Sequence, residues 1–441
     1  MTALSLKSLV PSLAQRLEHA RPRPMRGTLR SARGVVLRAS VGTVSIGELC
    51  HLCDPVSGKT LGAEVIGFEG DEAILSPLGD VQGLSGRTYV VPSGSPLAVV
   101  VGAGQLGRVI SPMGDWLDGA PPASGLTRYP LHGEPPAPFA RTLIERPMAL
   151  GIRAIDGLLT LARGQRMGLF GEPGVGKSSL LASLVRHTEA EVIVIGLIGE
   201  RGREVRELLD VQLSAEARAR TVAVVATSDR PAAERVRAAY AATAVAEYHR
   251  DQGKHVLLLM DSLTRFARAQ RELGLAAGEP PTRRGYPPSF FSALPRLLER
   301  AGPAASGSIT ALYTVLTEGD MATDPVAEEA RSLLDGHIVL SAQLAQRNHF
   351  PAVDVLRSRS RLMDQVSDNA HKQMARRVRE LMAQHEAIEL LVRVGEYESG
   401  SDPLADEALA RASAIEGFLR QGADEISSPA QTQQHLRKVL A

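Results

Sequence analysis

Three glycines, a lysine and two serines fall within one short stretch of this chain, Gly171-Glu172-Pro173-Gly174-Val175-Gly176-Lys177-Ser178-Ser179. The spacing is that of a phosphate-binding loop, with the strand-like RMGLF before it and an apolar helix start after it. Glycines carry no side chain, so backbone N–H groups can converge on phosphate oxygens, and the helix N-terminus adds partial positive charge. On this pattern Lys177 reaches the β and γ phosphates of ATP and Ser178 ligates Mg2+. A glycine-rich structural turn is the plainer alternative.

Hydrolysis asks for further groups. Asp261 ends the apolar strand HVLLLMD, where an acid emerges at the carboxyl edge of a sheet beside such a loop and can hold the water shell of Mg2+. An acid that only caps the next helix is the alternative. Glu200 closes VIVIGLIGE and is followed by Arg201, Arg203 and Glu204. It is the candidate for orienting and polarising the attacking water, against a solvated helix start.

Two other patterns imitate chemistry. Gly102-x-Gly104-x-x-Gly107 follows a strand-like run as a dinucleotide fingerprint does, but turns and prolines follow where a Rossmann unit needs a helix. Cys50 and Cys53 form a C-x-x-C pair without a second pair or ligand-spaced histidines, and are expected to be small hydrophobes of a reduced protein.

The elements that must hold these residues are legible in outline. From Gly164 to about Ser341, apolar segments such as EVIVIGLIG, TVAVVATS and HVLLLMD alternate with helices, which predicts an α/β domain with a parallel sheet covered on both faces. Asp229, with Pro231, is expected to cap the helix that Gly253 ends. Between Arg26 and Pro96, β-rich runs broken by Gly, Ser and Pro suggest a small antiparallel barrel. Residues 4 to 20 place Leu6, Leu9, Val10, Leu13 and Leu17 on one helical face, as in a docking element. The tail from Ser367 is helical, with Met374, Val378, Leu381 and Ile388 on one face. Asp402-Pro403 opens a further helix that Gly422 is expected to close.

Composition narrows the function classes. The 441 residues, 44% hydrophobic and 22% charged, suit a globular protein of two or three units. A formal charge of +1 and 4% aromatic residues do not advertise nucleic-acid binding. No apolar run approaches the ~20 residues of a spanning helix, and no secretory signal is evident, so a cytoplasmic location is expected.

Read in order, GLFGEPGVGKSSLL, GLIGERGREVREL, VLLLMDSLTRFARAQRE, RRGYPPSFFSALPRLLERAG, LTEGDMATDPVAEEARSLLDGHIVLS and HFPAVDVLRSRSRLM resemble the rotary-type ATPases. The chain is most similar to the ATPases of type III protein secretion and flagellar export, from about residue 26 to 420. The resemblance implies a RecA-like P-loop domain, an N-terminal antiparallel β-barrel and a C-terminal α-helical domain, divided at 1–25, 26–97, 98–360 and 361–441. It implies a homohexamer that spends ATP on releasing chaperones and unfolding export substrates. Stator and central-stalk proteins and chaperone-cargo complexes are the implied partners, with no nucleic acid, and the place is the cytoplasmic face of the inner membrane at the export gate.

By the same resemblance Glu200 is the catalytic glutamate, Arg201 and Arg265 are its neighbours, and Phe350 packs on adenine. A phenylalanine before proline is otherwise more often core. Arg361 falls where the family carries the arginine finger that reaches into a neighbouring subunit, and Arg357 and Arg359 stand beside it. GELCHL, AILSPLGDVQGLS and TYVVPSG look more like the injectisome branch than the flagellar one. A flagellar export ATPase is the near alternative. A hexameric RNA translocase is the distant one, and between Arg26 and Pro96 it would have only Phe68 and Tyr89 for base stacking. A non-catalytic nucleotide-binding subunit would not be expected to keep both Lys177 and Glu200.

Overall fold

The computed structural model describes residues 25–317 and 323–441. The expected docking helix over residues 4 to 20 lies outside the described residues, as does the EGDMA portion of LTEGDMATDP. The chain divides into two compact units, Met1–Leu97 and Ala98–Ala441.

The first unit is a closed barrel of β1 (Gly27–Arg33), β2 (Val36–Ser40), β3 (Glu48–Cys53), β4 (Thr60–Glu69), β5 (Glu72–Pro77) and β6 (Tyr89–Pro96), in the order β1-β2-β5-β4-β3-β6. Every described pairing in it is antiparallel, and β1 closes the ring on β6. Strand periodicity separates the two cysteines: along β3, Glu48, Cys50 and Leu52 are buried while Cys53 sits on the other face, half-buried. Burial pushes the Cys50 thiol up to about 11, so it packs as a hydrophobe.

The second unit is built on one large sheet. Its strands are β7 (Val109–Ile110), β8 (Arg166–Gly171), β9 (Val192–Ile198), β10 (Thr221–Ala226), β11 (His255–Asp261), β12 (Ser308–Leu316), β13 (Gly336–Leu340) and β14 (Val353–Ser360), in the order β14-β13-β8-β12-β11-β9-β10-β7. The central strands are parallel and buried along their lengths, which explains their unbroken apolar runs. The sheet is mixed, because β14 runs antiparallel to β13 and the short segment Gly302–Pro303 pairs antiparallel with β12, and the expectation of a wholly parallel sheet is corrected there. Two marginal strands, β7 and β14, were not foreseen. Arg357 and Arg359 point outward from β14 and Ser358 inward, so its charged alternation hides a strand in an arginine-rich segment.

Helices α1 (Lys177–His187), α2 (Ala232–Asp251), α3 (Leu263–Ala276) and α4 (Pro325–Leu333) cross between the strands. Asp229 does not cap α2: Pro231 itself is the N-cap, with no side-chain hydrogen bond. The residue before a proline is barred from helical backbone, so the helix starts after Pro231 and leaves Asp229 too far upstream. Gly253, at φ +80, does follow the end of α2.

Beyond the sheet come α5 (Asn369–Val394), α6 (Pro403–Leu419) and α7 (Pro429–Leu440). Asp368 caps α5 by accepting from the His371 N–H at 2.8 Å, and Asp402 caps α6 with Pro403 in the first turn. Gly422 does not close α6; the helix ends at Leu419 on extended Arg420, and Gly422 falls in the loop beyond. These helices share one apolar core with the sheet and α1, through Val378, Leu381, Ile415 and Phe418 among others. The contact is close, since a Cβ on Gly157 would lie 2.8 Å from the Phe418 ring.

Candidate active site

The phosphate loop joins β8 to α1, at the carboxyl edge of the sheet. Gly174 and Gly176 take φ of +86° and +87°, backbone that costs a side-chain-bearing residue roughly 1–2 kcal/mol. Gly176 serves a second purpose, because a Cβ there would stand 3.2 Å from Cε1 of Phe350. The Phe350 ring therefore lies against the loop, 41% exposed despite its apolar character.

Beside the loop a cavity of about 350 Å3 is lined by Ile152, Val175, Leu180, Leu340, Phe350 and Pro351 on its apolar side. Its opposite wall comes from the loop Gln421–Glu425 after α6. Gln421 fastens that wall: its Nε2 donates to the carbonyls of Gly151 and Glu425 at 2.7 Å each, and its Oε1 accepts from the Arg153 N–H at 2.8 Å. The Gln421 N–H donates to the Phe350 carbonyl at 2.9 Å, so the loop and the aromatic ring are held together. An apolar slot of this size beside a phosphate cradle suits a flat heterocyclic base.

At the mouth of the loop the charged groups converge. Lys177 Nζ lies 2.5 Å from Asp261 Oδ1 and 3.8 Å from Glu200 Oε1. Both acids are buried, and Glu200 Oε1 has no hydrogen-bond partner. Burial, with the Asp261 charge adding to it and Lys177 opposing, raises the Glu200 carboxyl from its ordinary 4.5 to about 7. The Glu204 carboxyl nearby raises it further, and the positive charge of Arg265 opposes the shift. Gly199, at φ +70°, lets Arg265 approach, since a Cβ there would meet Arg265 Cβ at 3.2 Å. Thr314 on β12 completes the group by donating to Asp261 Oδ1 at 2.6 Å.

The remaining arginines stand apart from this cluster. Arg201 is 73% exposed and pairs with Glu204 at 3.4 Å. Arg357 and Arg359 on β14 and Arg361 just past it are all exposed, where β14 finishes beside Gly336 and His337 at the start of β13. The Arg361 N–H donates to the Asp335 carbonyl, and the Asp335 carboxylate pairs with Arg166, the first residue of β8. The phosphate loop opens at the last residue of β8. A strand of 6 residues puts roughly 17 Å between the two ends.

Comparison with known proteins gives one answer. Residues 151–360 match the ATP synthase alpha/beta family nucleotide-binding domain, and residues 367–438 match the T3SS EscN ATPase C-terminal domain. The Type 3 secretion system ATPase of Xanthomonas euvesicatoria is 53% identical over 92% of both chains. The chain belongs to the type III secretion ATPase family. The flagellum-specific ATP synthase of Bacillus subtilis, 46% identical over 90% of this chain and 91% of its own, lies in the same circle. The assembled ATPase EscN from the enteropathogenic E. coli type III secretion system superposes with a TM-score of 0.89 at 46% identity, covering 94% of this chain and all of that one. The family resemblance, the barrel, the RecA-like ATPase domain and the helical C-terminal region are thus borne out, and the family's chemistry is ATP hydrolysis.

Within this type III secretion ATPase, the structure brings together the loop from Gly171 to Ser179, Asp261, Glu200, Arg265 and Phe350. It leaves Arg201 and Arg361 outside the cluster. Glu172, Pro173, Ser178 and Ser179 are exposed along the loop. Thr314 and Gln421 were not singled out from sequence, and Glu204 entered only as part of the charged run after Glu200. Thr314 is a hydroxyl inside an apolar run, SITALYTVLT, a signal that becomes informative once β12 is known to lie beside β11. Gln421 had no such signal, because its partners Gly151 and Arg153 are far away in the chain.

Proposed function

We propose that this ATPase powers protein export through a type III secretion apparatus, as a ring of identical copies with ATP gripped by one copy and triggered by the next. The observation that carries it is the split of one set of catalytic groups over two ends of β8: Lys177, Asp261 and Glu200 at the loop, Arg361 at the far end. Arg361 cannot reach its own loop across that strand, so as a finger it serves a neighbouring copy. The assembled state of the E. coli relative supports this arrangement.

In the proposed site the loop N–H groups and Lys177 bind the phosphates, and Phe350 and the Gln421–Glu425 loop enclose the base. Ser178 and Asp261 fit a hydrated Mg2+, since a hydroxyl stands exposed at the first turn of α1 and the buried Asp261 carboxylate offers an anionic oxygen now matched by Lys177. When bound, that ion neutralises charge on the phosphates. Glu200, with an unpartnered oxygen beside Lys177, orients the attacking water and polarises it, with Arg265 adjusting the charge around it. Arg361 of the adjoining copy stabilises charge on the transferring phosphoryl group, a contribution of about 10³ to 10⁵ in rate for such fingers.

A relative has been solved with its central stalk EscO, which supports a stalk as partner here. Chaperone-cargo complexes and stator proteins complete the assignment. No described helix is long and apolar enough to cross a membrane, so placement at the inner-membrane export gate would be peripheral. Glu200→Ala should bind ATP normally and lose hydrolysis by at least about 10²-fold. Loss of nucleotide binding as well would overturn the role given to Glu200.

A further inference from the structure

The deepest polar contact of the site is not made by any residue of the phosphate loop. Thr314 is fully buried in β12, and its Oγ1 lies 2.6 Å from Asp261 Oδ1 and 3.3 Å from the Met260 carbonyl. A hydroxyl has one proton to donate, and the shorter, charge-assisted contact takes it. The same Oδ1 accepts from Lys177 Nζ at 2.5 Å, so one carboxylate oxygen is held between a mobile cation and a hydroxyl fixed in the sheet.

These two partners differ in what they can do when a nucleotide binds. Lys177 sits on a long flexible stem and is drawn to the phosphates, which strips Oδ1 of its charged partner. The terminal torsion of a free aspartate is broad, so its carboxylate would then swing. Thr314 cannot leave. It is β-branched and therefore stiff at χ1, and it sits in a strand paired in register with β8 on one side and β11 on the other.

We propose that Thr314 is a positioning residue for the cation site: its hydroxyl locks the Asp261 carboxylate in the orientation that receives hydrated Mg2+ after Lys177 has moved away. The inference rests on the assignment of Asp261 and Ser178 to Mg2+, and it deepens that assignment. The competing role for the hydroxyl is to satisfy the Met260 carbonyl, which would leave Mg2+ unaffected.

The test compares Thr314→Val, which keeps the shape and removes the hydroxyl, with Thr314→Ser, which keeps the hydroxyl. A fluorescent ATP analogue is titrated into the full-length protein in excess Mg2+ and again in EDTA. Thr314→Val should bind the analogue as wild type does in EDTA and lose about tenfold of the tightening that Mg2+ confers. Thr314→Ser should restore the tightening. In single-substrate kinetics Thr314→Val should need correspondingly more Mg2+ for half-maximal rate.

A Thr314→Val protein with wild-type Mg2+ dependence overturns the proposal, as does a Thr314→Ser protein that fails to recover. Thr314→Ala removes the same hydroxyl without added bulk and takes the place of the valine variant if that one does not fold. If wild type itself binds the analogue equally with and without Mg2+, the assignment of Asp261 and Ser178 falls together with this one. Failure confined to the variants removes Thr314 alone.

Discussion

Glu200 shows how a single side chain is prepared by its surroundings. It stands two residues past the end of an apolar strand, so the sheet that delivers it also dries it, and Asp261 nearby adds like charge. With its carboxyl raised to about 7, a role that needs the ionised form turns on across neutral pH. The acid limb of kcat/KM should therefore inflect near pH 7; a profile flat from about pH 6 to 8 would contradict the role. The same shift has a stability consequence of fixed sign. Because the folded-state value lies above the ordinary 4.5, ionisation costs the folded state increasingly as pH rises from 4.5 to about 7 and fully above that. Glu200→Gln should match wild type in Tm near pH 4.5 and melt higher at pH 8, by about 1 to 3 kcal/mol in stability. Equal melting at both values would show that Lys177 compensates the buried charge completely.

At the scale of elements, the site is a meeting of three loops that the chain supplies at wide intervals. The phosphate loop follows β8, the Phe350 segment precedes β14, and the Gln421–Glu425 loop follows α6. Gln421 is the fastener, since its amide bonds to Gly151, Arg153 and Glu425 and its N–H bonds to Phe350. Gln421→Ala leaves the Arg153 N–H without its partner and the Gly151 carbonyl with the Ser427 N–H alone, at about 1–3 kcal/mol for such a buried loss. The expected result is a weaker grip on the base with phosphate binding intact. ATP affinity should fall about tenfold and inorganic phosphate or triphosphate binding should not change. A parallel loss for triphosphate would mean that the whole loop region had collapsed. The cap at Asp402 was legible beforehand because capping is local, whereas the cap at Asp368 was not singled out. The failed caps at Asp229 and Gly422 were local too, but a neighbouring proline and an early turn into extended backbone overrode them.

The whole molecule raises a different kind of question, because with Arg361 as the proposed finger, the finger and the phosphate loop sit at opposite ends of one strand and the proposed site is incomplete in a single copy. A head-to-tail arrangement of identical copies solves this and closes into a ring. Mixing Glu200→Ala subunits with Arg361→Ala subunits should recover turnover that neither has alone, since one seam in the mixed assembly regains both wild-type groups. No recovery at any ratio would place Arg361 outside the reaction. Specific activity of wild type should also rise with protein concentration as copies associate.

The sequence by itself determined the phosphate loop, the acid that ends β11, the alternation of strands and helices, the barrel and the family. All of these rest on local spacing, backbone chemistry or motif order, which the linear chain carries in full. Only the tertiary structure decided that Lys177 rests on Asp261, that Thr314 shares the same oxygen, and that Gln421 closes the slot over Phe350. Those contacts join residues from 53 to 84 positions apart. Their existence depends on which strands become neighbours in the sheet and where α6 packs, and that is set by burial of the shared apolar core rather than by any property of the residues that meet.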